Sequence, residues 1–123
     1  MRNFVYWWVM DPVLFYKSLA DDTRLKCLLL IAEQGELCVC ELMHALNETQ
    51  PKVSRHLALL RKNGLLQDRK HKQWVFYQLS PQLPAWASQA LYLTREQNPT
   101  FIQSYLEQLS NMGERPLRQA ECC

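Results

Sequence analysis

Between Val39 and Leu79 the apolar spacing is helical twice, with only a tight turn between the two runs, and then alternates; few folds accommodate that order. Val39, Leu42 and Leu46 fall on one face of a short helix, Asn47-Glu48 makes the turn, and Thr49 stands as a cap ahead of Pro51 in the first turn of a second helix. That helix reaches Asn63, with Gly64 as its stop, and its Val53, Leu57 and Leu60 point to a core while Arg55 and Lys62 lie opposite. Two helices across so short a turn form a helix-turn-helix. Past Gly64, Leu65–Lys70 and Gln73–Leu79 read as strands joined at His71-Lys72, with Val75, Tyr77 and Leu79 on one face and Trp74 and Phe76 on the other. The fold class is therefore mainly α with a two-stranded β-hairpin wing, a winged helix-turn-helix.

The flanks supply the remaining helices. Asp11-Pro12 opens one to about Ala20. Asp21 caps a second through Leu25, Leu28, Leu29 and Ala32 to near Gly35, and because Leu30 and Ile31 lie off that stripe the helix is apolar nearly all round and expected at the centre. After Ser80-Pro81 and Pro84, a helix from about Leu83 to Glu96 carries a broad apolar face of Trp86, Ala87, Ala90, Leu91 and Leu93; Asn98-Pro99 opens a last helix ending near Gly113. A chain of 123 residues with 48% apolar content supports one modest core. The broad face, beside the Pro12–Ala20 helix, is expected to form a homodimer. The expected organisation is a dispensable extension over 1–10, one DNA-binding and dimerisation domain over 11–113, and a flexible tail over 114–123. Phe4–Met10 is too short to span a bilayer and lacks a signal-cleavage pattern, which points to a cytoplasmic protein with no membrane partner.

A net charge of +2 conceals strong segregation. Lys52, Arg55, Arg61, Lys62, Arg69, Lys70 and Lys72 face a single acidic residue, Asp68, in that stretch, and the rest of the chain is net acidic. A basic patch on an acidic body suits a polyanion, here double-stranded DNA. Gln50, Lys52, Ser54, Arg55 and His56 flank the half of the second helix that meets base edges in such motifs, with Lys62 further along it. Arg69, Lys70 and Lys72 at the wing are placed for phosphate or the minor groove.

Five cysteines, Cys27, Cys38, Cys40, Cys122 and Cys123, are a poor layout for a disulfide framework, and clustered thiols in a reducing compartment are more often ligands or redox groups. Cys27 lies in the central helix and reads as a small buried hydrophobe. Cys38 and Cys40 stand at the entry to the first helix of the helix-turn-helix. Within a regular helix they would be about 200° apart, so both can face one ion only if Cys38 stays outside the helix. A helix N-terminus stabilises anionic sulfur, which raises affinity for soft ions.

Four segments in order, Leu19-Ala20-Asp21-Asp22-Thr23-Arg24-Leu25, Glu36-Leu37-Cys38-Val39-Cys40-Glu41-Leu42, Gln50-Pro51-Lys52-Val53-Ser54-Arg55-His56-Leu57 and Trp74-Val75-Phe76-Tyr77-Gln78-Leu79, resemble the ArsR/SmtB family of winged-helix repressors. The resemblance spans about Asp11 to Pro81 and is closest to the arsenical-responsive branch. It implies a dimeric repressor, not an enzyme and with no catalytic residues, that needs no cofactor and leaves its operator when As(III) or Sb(III) occupies thiols of this helix. The arsenical type carries a third thiol where this chain has Met43. Cys38 and Cys40 are thus the expected ligands, with Cys122 and Cys123 the candidates for a third. The wing turn of such relatives usually holds glycine where this chain has Lys72, so a different turn is expected. Zinc-binding relatives use Asp and His on the C-terminal helix, and Leu83–Ser110 has neither. Cadmium- and lead-sensing relatives add N-terminal cysteines, and residues 1–26 hold none. The alternatives are a Cd/Pb-responsive or thiol-oxidation-responsive repressor of the same fold, and a thiol redox protein, for which the expected strand-then-helix setting is missing.

Overall fold

The computed structural model describes residues 10–114. Along the chain these form α1 (Pro12–Leu19), α2 (Asp22–Gln34), β1 (Leu37–Cys38), α3 (Val39–Leu46), α4 (Gln50–Lys62), β2 (Leu66–His71), β3 (Trp74–Leu79), α5 (Ala85–Gln97) and α6 (Gln103–Asn111). The Asp11 carboxylate accepts from the Val13 N–H at the start of α1, and that of Asp21 accepts from the Arg24 N–H at 3.0 Å at the start of α2. Each satisfies a backbone donor that the helix itself leaves open. Cys27 through Ile31 are all buried, so α2, apolar on every side, is the centre of the molecule. Phe15, Leu42, Leu57, Leu60, Leu91 and Leu109 from the other helices close around it.

The wing is larger than the hairpin expected from the sequence. Leu37 and Cys38 add a third, antiparallel strand, in the order β1-β3-β2, with Leu37 opposite Tyr77 and Cys38 opposite Phe76. Two residues are too few to display a period, so the strand has no signature in the sequence; it runs directly into α3, and the strand-then-helix setting expected to be missing around the thiols is therefore present, as part of a wing. The hairpin turn also shifts by one residue. His71 pairs with Trp74, leaving Lys72-Gln73 as the loop in place of His71-Lys72. Lys72 adopts φ +58°, a left-handed conformation that a two-residue hairpin loop demands and that glycine would take without strain. Lys72→Gly is therefore expected to stabilise the fold by up to about 1 kcal/mol, because the steric relief outweighs glycine's extra chain entropy. A thermal melt with no rise in midpoint would contradict it.

Two further boundaries differ. Asn98 closes α5 by donating its side-chain amide to the Thr94 carbonyl at 2.8 Å, so it does not open the next helix; a turn follows, and α6 starts at Gln103 instead of near Pro99. Met10 packs on the core, with its Cε 3.7 Å from where a Cβ on Gly64 would stand. The folded unit therefore includes Met10, the last residue of the expected extension. Expectations for residues 1–9 and for the tail, including Cys122 and Cys123, fall outside the described residues.

Trp86 of the broad α5 face folds inward, edge-on to Phe15 at 5.1 Å between ring centres. Val13 and Tyr16 of α1 and Tyr92 and Leu93 of α5 stay more than half exposed. No helix among the described residues is long and apolar enough to cross a membrane.

Candidate nucleic-acid interface and thiol site

Burial of Val53, Leu57 and Leu60 seats α4 on the core and turns its other face outward. Along the first turns of α4, the Gln50 Nε2 donates to Ser54 Oγ at 2.8 Å, and Lys52 pairs with Glu48 at 3.0 Å. Arg55 and Lys62 are exposed, as are Lys70 and Lys72 on the wing, and among the described residues none of these four makes an ion pair. Arg61 pairs with Asp68 at 3.1 Å.

Two residues expected at the DNA are committed elsewhere. Arg69 grips Glu36 with both arms of its guanidinium, at 2.6 and 2.9 Å, and lies over the Phe76 ring at 5.1 Å. His56 is buried against α2, with Nδ1 3.4 Å from Arg24 Nη1 and Nε2 3.8 Å from the Asp21 carboxylate. Arg24 can only donate, so Nδ1 is the acceptor and the ring proton sits on Nε2, facing Asp21. Arg24 also donates to the carbonyls of Ser18 at 2.8 Å and Lys17, while the Asn63 amide donates to Ser18 Oγ at 3.1 Å. His56 thus belongs to a polar strut joining α1, α2 and α4, and it does not line the outward face.

Burial lowers the pKa of His56, and the charges of Arg24, Arg55 and Lys52 act in the same direction against Asp21. The folded state then binds fewer protons than the unfolded chain, so stability rises with pH across this group's range. Its contribution is intact above the ordinary histidine pKa of about 6.5 and declines as pH falls below it. Chemical denaturation at about pH 7.5 and pH 5.5 should show this loss, and His56→Gln should lessen it; an equal loss in the variant would contradict the assignment.

The thiol segment starts α3. Cys38 is the N-cap, extended at φ −92° and ψ 168°, and lies outside the helix, while Cys40 is its second residue. The Cys38 N–H donates to the buried Glu41 carboxylate at 2.9 Å, and the Cys38 sulfur faces the Glu41 N–H in return. This is a capping box with cysteine in the serine position. Cys27 and Cys38 are not disulfide-bonded, whereas Cys40 is in a disulfide, so ligation by Cys40 requires that bond to be reduced. Met43 packs on the core. Among the described residues no group of three His, Cys, Asp or Glu side chains is placed to hold a metal ion.

Residues 21–68 match the family model described as bacterial regulatory protein, arsR family. Over 115 residues the chain is 50% identical to the arsenic resistance transcriptional regulator ArsR2 of Pseudomonas putida, an alignment covering 94% of this chain and 100% of that protein. The chain belongs to the arsR family. The family is one of transcriptional regulators, not enzymes. This ArsR-family chain is also 59% identical over 80 residues to the arsenical resistance operon repressor of Escherichia coli K12, covering 65% of this chain and 68% of that one. Among solved structures it is similar to the AntR antimony-specific transcriptional repressor, with a TM-score of 0.61 and 27% identity, covering 74% of this chain and 79% of that one.

Several residues of the ArsR-family site escaped sequence reasoning. Glu41 had a signal, the acidic residue three places after a capping position. Arg24, Ser18 and Asn63 had none, and neither did Glu36, whose partner is 33 residues away.

Proposed function

We propose that this chain is a cytoplasmic, homodimeric repressor of an arsenical-resistance operon that holds operator DNA with α4 and the wing and releases it when As(III) or Sb(III) binds. The observation that carries the reading is the position of Cys38 and Cys40 at the N-terminus of the first helix of the helix-turn-helix, in a chain so similar to an arsenic regulator over its whole length. Gln50, Lys52, Ser54, Arg55 and Lys62 on α4, with Lys70 and Lys72 on the wing, make the DNA contacts. Exposed cations track phosphate, and the short polar side chains of the first turns reach base edges. Dimerisation through Val13, Tyr16, Tyr92 and Leu93 buries apolar side chains that the monomer leaves in water and sets two recognition helices for a two-fold operator.

Cys38 and Cys40 supply two thiolates, and Cys122 or Cys123 supplies the third. Because Cys38 caps α3, an ion that takes its sulfur competes with the Glu41 N–H for the same lone pairs and alters the start of the helix on which α4 rests. Release follows only to the extent that the ion prefers the DNA-free geometry. Similarity to an antimony-specific repressor favours trivalent metalloids over divalent cadmium or lead as the inducer.

The test is a gel shift with DNA from the chain's own promoter under reductant. Retarded DNA that is released by arsenite is the expected result. No retardation would sink the repressor assignment, and release by cadmium or peroxide but not arsenite would replace the inducer.

A further inference from the structure

We infer that Glu36 and Arg69 are positioning residues that couple the wing to the thiol segment. The inference rests on Cys38 and Cys40 being the ion site. Direct partners across an antiparallel ladder project to the same face of the sheet. Arg69 pairs with Phe76, and Phe76 with Cys38, so the three form one row across all three strands. The adjacent row, Asp68, Tyr77 and Leu37, includes Tyr77 and Leu37, which pack on the core; the Cys38 row therefore occupies the opposite face. Phe76 and Cys38 are both almost wholly buried in that row. Glu36, two residues before Cys38, closes the row by its two-armed ion pair with Arg69, whose guanidinium lies over Phe76.

Both recognition features of this arginine are therefore in use inside the protein. Its fork is taken by a carboxylate and its plane by an aromatic ring, a pairing that lysine cannot reproduce. Because two hydrogen bonds to Glu36 and the Phe76 ring fix this guanidinium, Arg69 is expected to contribute less to the electrostatic part of operator binding than the unpaired Lys70, although its side chain is 47% exposed. What the row does instead is fasten β2 to the residues that precede and include Cys38. A displacement of Cys38 by a bound ion is carried through Phe76 and the Glu36–Arg69 pair to the wing that bears Lys70 and Lys72. The wing then shares in release along with the recognition helix, because the wing is paired to Cys38 and the recognition helix packs on the helix that Cys38 caps.

The experiment measures promoter-DNA affinity as a function of salt, with and without saturating arsenite, for the full chain and for Glu36→Gln, Arg69→Lys, Arg69→Gln and Lys70→Gln. Lys70→Gln should flatten the salt slope by about 1 and keep the arsenite effect. Glu36→Gln and Arg69→Lys should keep the slope and reduce the ratio of affinities with and without arsenite by at least about fivefold. A simple loss of stability would lower the melting temperature without changing that ratio. An unchanged ratio in both variants would overturn the inference, as would an Arg69→Gln protein whose slope falls like that of Lys70→Gln. A second readout needs no ion: alkylation of reduced Cys38, followed by mass spectrometry, should quicken several-fold in Glu36→Gln. An unchanged rate would overturn the inference even if the unaltered chain fails to respond to arsenite, an outcome that would count against the ion site itself.

Discussion

Cys38→Ser is expected to bind promoter DNA within about threefold of the unaltered chain and to lose its response to arsenite. Serine is a preferred N-cap and completes the same capping box with Glu41, so α3 should keep its start and stability should change by less than about 1 kcal/mol. What disappears is the soft, anionic sulfur, for which a hydroxyl is a poor substitute toward a thiophilic ion. Cys40→Ser, one step inside the helix, should behave in the same way. Cys27→Ala is the control: its thiol is fully buried and its pKa is pushed up to about 12, chiefly by that burial, so it offers no thiolate and its loss should leave the response intact. Titrating DNA-bound protein with arsenite under reductant distinguishes these outcomes. A Cys38→Ser protein that still lets go of DNA would place the sensor elsewhere.

Leu57→Ala should cost about 2–5 kcal/mol of folding stability, the range for deleting a fully buried leucine side chain. Leu57 lies on the inner face of α4 between Val53 and Leu60, so the cavity would open under the recognition helix itself. Promoter affinity should therefore fall as well. Leu59, on the same helix but more than a third exposed, provides the comparison; its change to alanine should stay within about 0.5 kcal/mol. Urea denaturation measures both, and a Leu57→Ala cost below about 1 kcal/mol would mean that the helix is held mainly by the polar strut through His56.

The helices were legible because each carries a local signal. Asp11 and Asp21 cap, Pro12 and Pro51 open, Gly35 and Gly64 close, and the apolar stripes between them have helical period. The α4 face that carries Arg55 and Lys62 followed from the same periodicity, since placing Val53, Leu57 and Leu60 inside leaves them outside. Where a local signal was absent or ambiguous, the pattern failed. Two residues of β1 have no period, and Lys72 carries no mark of the left-handed turn it makes. Asn98 has the composition of a helix opener, yet its amide closes the helix before it.

Local chemistry along the chain thus determined the order of the helices, the basic recognition surface and the placement of two thiols at a helix entry. Those properties depend on spacing within a few residues. Only the tertiary structure decided which of the basic side chains are held by partners within the protein. It takes His56 into a strut with Arg24 and Asp21, and Arg69 into a clasp with Glu36, through partners more than thirty residues away. It also makes the thiol segment a strand of the wing, because the pairing of Cys38 with Phe76 is a hydrogen-bond register between distant segments, and no periodicity within either segment encodes it.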